Sequence, residues 1–242
     1  MTSKEKPARV DVKDLVGKGL YSPAEAARLM QTPARKVRRW LYGVQDSSHG
    51  IRRKLDPLTE AVFCLKTGEY LTFEGFIELL AIRAFRDAGV SMSTVRHAHE
   101  KAKVRYATAH PFASRPFFTD GKTIFAELAE TLSEDHIDKL EELSRSQLAF
   151  ERIIAPSLRN IDFSENRASR YWPKGHGAEV VIDSERQFGK PIDPISGVPT
   201  SVLAQAYVAE RNDAVVVARW YGVTEKAVRD AVSYESEIAK AA

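Results

Sequence analysis

The sequence predicts a mainly α-helical protein with small β hairpins. A winged helix-turn-helix stands at the front and a three-helix, helix-turn-helix-like module at the back. Three observations carry this reading. Ser22-Pro23 and Thr32-Pro33 set two helix starts only ten residues apart. Strand-forming runs flank Thr67-Gly68, a hairpin signal. Gly189, Pro191, Pro194, Gly197 and Pro199 form a stiff entry to three apolar-periodic segments after residue 200.

The first pair of helices is the most informative element. Ser22 is a good N-cap, Pro23 suits the first helical position, and Glu25 completes a capping box. Ala26, Ala27, Leu29 and Met30 supply a small apolar face. The second helix spans about Pro33 to Tyr42, with Val37, Trp40 and Leu41 inward. Its other face carries Arg35, Lys36, Arg38 and Arg39. An arginine fork makes bidentate contacts to phosphate or to guanine O6/N7. The second helix of such a pair aims its first turns at base edges. Arg35 and Lys36 are therefore expected nearer the bases, and Arg38 or Arg39 nearer phosphates.

Residues 44–56 are turn-rich and then basic, which predicts a wing whose Arg52, Arg53 and Lys54 touch backbone or minor groove. Residues 62–71 read as a hairpin. A helix follows from about Phe73 to Ala88, with Phe76, Ile77, Leu80 and Phe85 buried and Gly89 at its end. A further helix runs from about Ser93 to Tyr106. This order over residues 18–106 resembles the DNA-binding domain of the MerR family. YSPAEAARLM is similar to that family's first helix and KVRRW to its second. The resemblance implies a phosphate contact for Arg38 and a packing role for Trp40. Gln31-Thr32 stands where the family has Gly-Val, and the wing region is longer.

The middle of the chain carries weaker signals. Asp120-Gly121 between apolar runs predicts a hairpin. Ser133 caps a helix expected over 134–145, and a second helical run is expected over 147–158, where Phe150, Ile153 and Ile154 form a packing or dimer surface. RNIDF, ASRYW and AEVVID within residues 159–183 alternate like strands. His176 has no partner ligands at metal spacing, and His97 and His99 lie on a helix without a carboxylate or cysteine pattern. No metal site, cofactor or catalytic residue is expected.

The three C-terminal helices are expected at about Thr200–Arg211, Asp213–Trp220 (capped by Asn212) and from Thr224 to about Tyr234. Val217, Ala218, Tyr221, Val223, Ala227, Val228 and Ala231 form their inner set. The outer face mixes Glu225, Lys226, Arg229 and Asp230. Lys226 and Arg229 are the candidates for a second DNA or partner contact. Ile182-Asp183, Phe188-Gly189-Lys190-Pro191, Gly197 to Thr200 and Tyr234-Glu235 resemble a small C-terminal module of bacterial antitoxins. With the front helix pair, the whole chain resembles a long VapB-type antitoxin. That resemblance implies a PIN-like ribonuclease toxin as partner and autorepression of the shared operon.

Composition bounds the alternatives. The chain has 242 residues, 43% hydrophobic and 29% charged, with one cysteine. No apolar run approaches the ~20 residues of a membrane span, no secretory signal is visible, and the lone Cys64 fits a reducing cytoplasm. The net charge of +3 is a cancellation: residues 1–110 carry 20 Lys+Arg against 12 Asp+Glu, and residues 111–242 carry 16 against 21. A front half at +8 suits a polyanion. The expected organisation is a DNA-binding domain at 1–110, a connecting or dimerisation region at 111–178, and the antitoxin module at 179–242. The expected partners are operator duplex DNA, the toxin and a second copy of the chain, with no membrane. The competing reading is a MerR-like regulator that senses an effector and has no toxin. An enzyme is not expected, because no Walker loop, GxGxxG, HExxH, GxSxG or paired-carboxylate motif stands in a convincing context.

Overall fold

The computed structural model describes residues 19–46, 53–55, 57–59, 62–130, 150, 156 and 159–240. These residues hold eight α-helices and several short antiparallel strands, so the mainly α architecture with small sheets is observed. The chain divides into two compact units.

The first unit gathers Met1–Arg39, Val62–Phe73 and Ser169–Ala242. Strand β1 (Leu20–Tyr21) pairs antiparallel with β5 (Gly68–Thr72), which pairs with β4 (Val62–Leu65) in the register Val62↔Leu71. The Thr67-Gly68 turn therefore forms where expected, with Gly68 at φ +144°. Helix α1 (Pro23–Leu29) starts at Ser22, whose Oγ accepts from Glu25 N at 3.1 Å. Ala26, Ala27, Leu29 and Met30 are all buried. Gln31, at φ +52°, makes the turn into helix α2 (Ala34–Tyr42), whose last three residues belong to the second unit.

The same unit contains the C-terminal helices α6 (Thr200–Ala209), α7 (Ala214–Tyr221) and α8 (Glu225–Lys240). Leu203, Ala214, Val217, Ala218, Val228 and Ala231 form their common core. The cap of α7 is Asp213, not Asn212: its Oδ1 accepts from Val215 N and Val216 N, while Asn212 takes a left-handed φ of +68° in the preceding turn. Tyr221 was expected inside but is 36% exposed, because α7 ends there and Gly222 turns the chain at φ +63°. Strands β7 (Arg167–Tyr171), whose last three residues lie in this unit, and β8 (Val181–Asp183) follow the expected strand segments, while β9 (Pro191–Ile192) forms in the turn-rich entry where no strand is expected; they pair antiparallel, Tyr171 with Ile182 and Val181 with Ile192.

Segments far apart in sequence meet in this unit. Tyr21 Oη donates to Gly189 O at 2.9 Å, and Gly19 N donates to Ser184 O at 2.8 Å. A Cβ on Gly189 would fall 2.7 Å from Gly19 Cα, and its φ of +73° lies in the left-handed region, so this position demands glycine. Arg28 on α1 faces Glu235 on α8 at 3.8 Å.

The second unit comprises Trp40–Ala61 and Glu74–Ala168. Strands β2 (Val44–Asp46) and β3 (Arg53–Leu55) form an antiparallel hairpin directly after α2. Helices α3 (Phe73–Asp87), α4 (Met92–Tyr106) and α5 (Arg115–Glu130) follow, with β6 (Ile161–Ser164) near the end. Phe85 sits among Phe112, Phe117, Phe125 and Phe150, with ring centroids 5.3 to 6.4 Å away. Tilted, edge-on and stacked pairs of this kind stabilise a core beyond area burial.

That core overturns one expectation. Asp120-Gly121 does not turn a hairpin; both residues lie inside α5. Phe117, Gly121, Ile124 and Phe125 share one buried helical face. A Cβ on Gly121 would lie 2.5 Å from the Phe150 ring, so the glycine serves close packing of that ring and not a turn. The helices expected over 134–145 and 147–158, with Ile153 and Ile154, lie outside the described residues apart from isolated positions.

Candidate nucleic-acid interface

Helix α2 has two contrasting sides. Val37 is fully buried, and Trp40 and Leu41 nearly so. Arg35, Lys36, Arg38 and Arg39 are all exposed. At ~100° per residue the four basic positions cover an arc of about 160°, and the three apolar ones fill the opposite side. The first turn of α2 has no acidic residue. Among the described residues no carboxylate pairs with any of the four side chains. An exposed arc of guanidinium and ammonium groups is what a polyanionic phosphate surface attracts.

The hairpin after α2 supplies further basic positions. Arg53 pairs with Asp46 and Lys54 with Gln45 across β2 and β3. Arg52 and the tip of the hairpin lie outside the described residues.

The base of this hairpin is held to a buried polar cluster that the sequence reading missed. Glu78 on α3 is fully buried. Its Oε1 accepts from His99 Nε2 at 2.9 Å and from Phe112 N at 3.4 Å. Its Oε2 accepts from His110 Nδ1 at 3.1 Å and from the Thr59 hydroxyl. Burial alone would raise the carboxyl, but the hydrogen bonds from His110 and His99 and their charge outweigh it and hold Glu78 at about 2. The signal in the sequence is a lone glutamate inside the apolar run from Phe76 to Ile82. Such a helix is buried all round, and a charge within it must find partners. Among the described residues no group of three or more His, Cys, Asp or Glu is placed to hold a metal ion.

Lys226 and Arg229 contrast with α2. Lys226 Nζ donates to Gly177 O at 2.8 Å and to Asp230, and Arg229 donates to Glu225 Oε2 at 2.6 Å. Both positive charges on α8 are already met by carboxylates one turn away. Glu179 N in turn donates to Asp230 Oδ2 at 2.9 Å, so Asp230 is held on both sides. Hydrogen bonds from Lys226 and Glu179 overcome the effect of burial and lower the Asp230 carboxyl.

No protein-family profile matches the chain. It is 31% identical over 224 residues to a Mycobacterium tuberculosis protein described as "Putative antitoxin VapB45", covering 88% of this chain and 92% of that one. It also resembles the X-ray crystal structure of Rv2018 from Mycobacterium tuberculosis, with a TM-score of 0.69, 26% identity, and coverage of 88% and 96% of the two chains. The class these similarities define is that of VapB antitoxins. Within it, the chain belongs to the VapB45 family. No helix among the described residues is long and apolar enough to cross a membrane.

Proposed function

We propose that this protein is the antitoxin of a type II toxin–antitoxin pair, acting in the cytoplasm. In this reading it neutralises a PIN-like ribonuclease toxin and, as a homodimer, binds operator DNA to repress its own operon. Membership of the VapB45 family supports the toxin partner. The observation that supports DNA binding is the exposed arc of Arg35, Lys36, Arg38 and Arg39 on α2, unpaired among the described residues and backed by Val37, Trp40 and Leu41. α2 enters the major groove in the MerR-like manner, and Arg52, Arg53 and Lys54 of the hairpin hold the flanking backbone. The functional division is DNA binding in 1–110, connection and dimerisation in 111–178, and toxin capture in 179–242. Because Lys226 and Arg229 are neutralised on α8, the DNA contacts are assigned to α2 and the hairpin.

Co-expression with the adjacent open reading frame tests the partner. A stable complex of the two products that abolishes RNA cleavage is the expected result, and a neighbour that neither binds nor cleaves RNA refutes the reading. Mobility shift on a labelled duplex from upstream of the gene tests the DNA half. A two-fold dimer reads half-sites about 34 Å apart. Binding equal to that of a scrambled duplex at every salt concentration refutes operator recognition.

A further inference from the structure

We propose that Glu78, acting through Thr59, is the positioning residue that sets the placement of the β2–β3 hairpin. This rests on the reading of that hairpin as the DNA-binding wing. Three consecutive residues just past β3 are tied to three different helices. Pro57 O accepts from Arg96 Nη1 on α4 at 2.8 Å. Leu58 N donates to Trp40 O, near the end of α2, at 2.9 Å. The Thr59 hydroxyl donates to Glu78 Oε2 on α3. Leu58 is 3% and Thr59 4% exposed, so the return leg of the hairpin dives straight into the core.

The first two ties use backbone groups and form with any residue at 57, or any but proline at 58, that keeps the chain path. The third depends on chemistry. Thr59 offers one buried hydroxyl, and Glu78 is the buried charge that receives it. His99 and His110 donate to the same carboxylate from α4 and from the turn before α5. They keep it ionised and fixed, with a lone pair aimed at Thr59. A charge-assisted hydrogen bond in such a setting is stronger and more directional than a neutral one. The hairpin is thereby anchored at both feet: its entry leaves α2 at Gly43, and its exit is locked to α3. A wing of short strands whose root can shift loses its registration on the backbone it touches.

The test uses the full-length protein and substitutions at Thr59, since changing Glu78 endangers the core itself. Thr59→Val keeps the shape and removes the hydroxyl, and Thr59→Ser restores it. Hydrogen exchange at residues 44–46 and 53–55 is expected to speed by at least about tenfold in Thr59→Val, matching a lost hydrogen bond to a charged group. Exchange in the middle of α3 and α4 is expected to stay within about twofold, and Thr59→Ser to behave as wild type. Binding of the labelled upstream duplex should weaken by about fivefold in Thr59→Val and recover in Thr59→Ser. A merely structural role would speed exchange in α3 and α4 as well, which overturns the proposal. Unchanged exchange in the hairpin also overturns it, as does loosened exchange with unchanged duplex affinity. Failure of the wild-type protein to bind the duplex refutes operator recognition instead, and the exchange result still decides whether Glu78 and Thr59 hold the hairpin.

Discussion

Replacing Glu78 by Gln tests how much the second unit depends on one buried charge. The substitution keeps size and shape but removes the carboxylate that four donors share. Lowering a carboxyl from 4.5 to about 2 corresponds to about 3 kcal/mol in favour of its ionised form in the fold. Breaking a buried charged network by removing one partner costs about 3–5 kcal/mol, because the remaining groups stay desolvated. Both routes give the same order, a large fraction of the ~5–15 kcal/mol of a typical domain. The sign with pH follows from the direction of the shift. The folded value lies below the unfolded one, so the stabilisation is complete above about 4.5 and fades as pH falls toward about 2. Two units need not unfold together, so the assay is hydrogen exchange resolved to α3, α4 and α5 across urea concentrations. Glu78→Gln is expected to lose about 3 kcal/mol at neutral pH and to flatten the pH dependence between about 4.5 and 2. An opening free energy equal to wild type at neutral pH, or an undiminished slope in that acid window, refutes the reasoning.

Other outcomes follow from the same structure. Arg38→Ala is expected to weaken duplex binding for all sequences and to lower the slope of log affinity against log salt by about one, measured by fluorescence anisotropy; an unchanged slope removes Arg38 from the phosphate contacts. Two buried tyrosines in the first unit should answer differently to loss of the hydroxyl in thermal melts. Tyr21→Phe loses the bond to Gly189 O and should cost about 1 kcal/mol, whereas Tyr234→Phe removes a hydroxyl without a partner among the described residues and should be neutral or stabilising. Matching losses at both positions would refute that contrast. If the acidic residues of 111–242 face a basic toxin, affinity for it falls as salt rises; a flat response in calorimetry removes that electrostatic account.

The elements that were legible in the sequence are those whose determinants are local. Ser22 reaches Glu25 N only three residues on, and Val37, Trp40 and Leu41 repeat within two turns, so α1, α2 and the basic arc could be read directly. The same holds for α6 to α8, where Gly222 punctuates the chain, although the cap of α7 is Asp213 and not the expected Asn212. What escaped was set by distant residues. Asp120-Gly121 has the local chemistry of a turn, yet both residues lie inside α5, where Gly121 packs closely against the Phe150 ring from far along the chain. Glu78 meets partners 21 and 32 residues away on separate elements, and no spacing rule links Glu78, His99 and His110. In the sequence His99 stands only as a histidine without a metal pattern. It is buried against Phe112, with centroids 5.1 Å apart, and its Nε2 donates to the Glu78 carboxylate.

The folding unit that contains α1 is not built from neighbouring sequence, and that bears on any experiment with fragments. α1 has seven residues, too few to hold a helix in water without tertiary contacts. In the first unit its contacts include α8, through Arg28 and Glu235, and β1 is tied to the turn at Gly189 through Tyr21. Tyr21 is 1% exposed and one of the largest fully buried side chains. A fragment ending at residue 110 keeps α1, α2 and the hairpin in sequence but uncovers Tyr21 and leaves its hydroxyl to water. Burying a side chain of that size contributes about 2–3 kcal/mol, and the bond to Gly189 about 1. The sum is comparable to the stability of a marginal domain, so the 1–110 fragment should show less helix by circular dichroism than the intact protein does per residue. Adding the 179–242 segment in trans should restore part of it, because that segment carries Gly189 and Glu235. Full helicity and duplex binding by the fragment alone would show that α1 and α2 are held by residues 1–110 without the C-terminal segment.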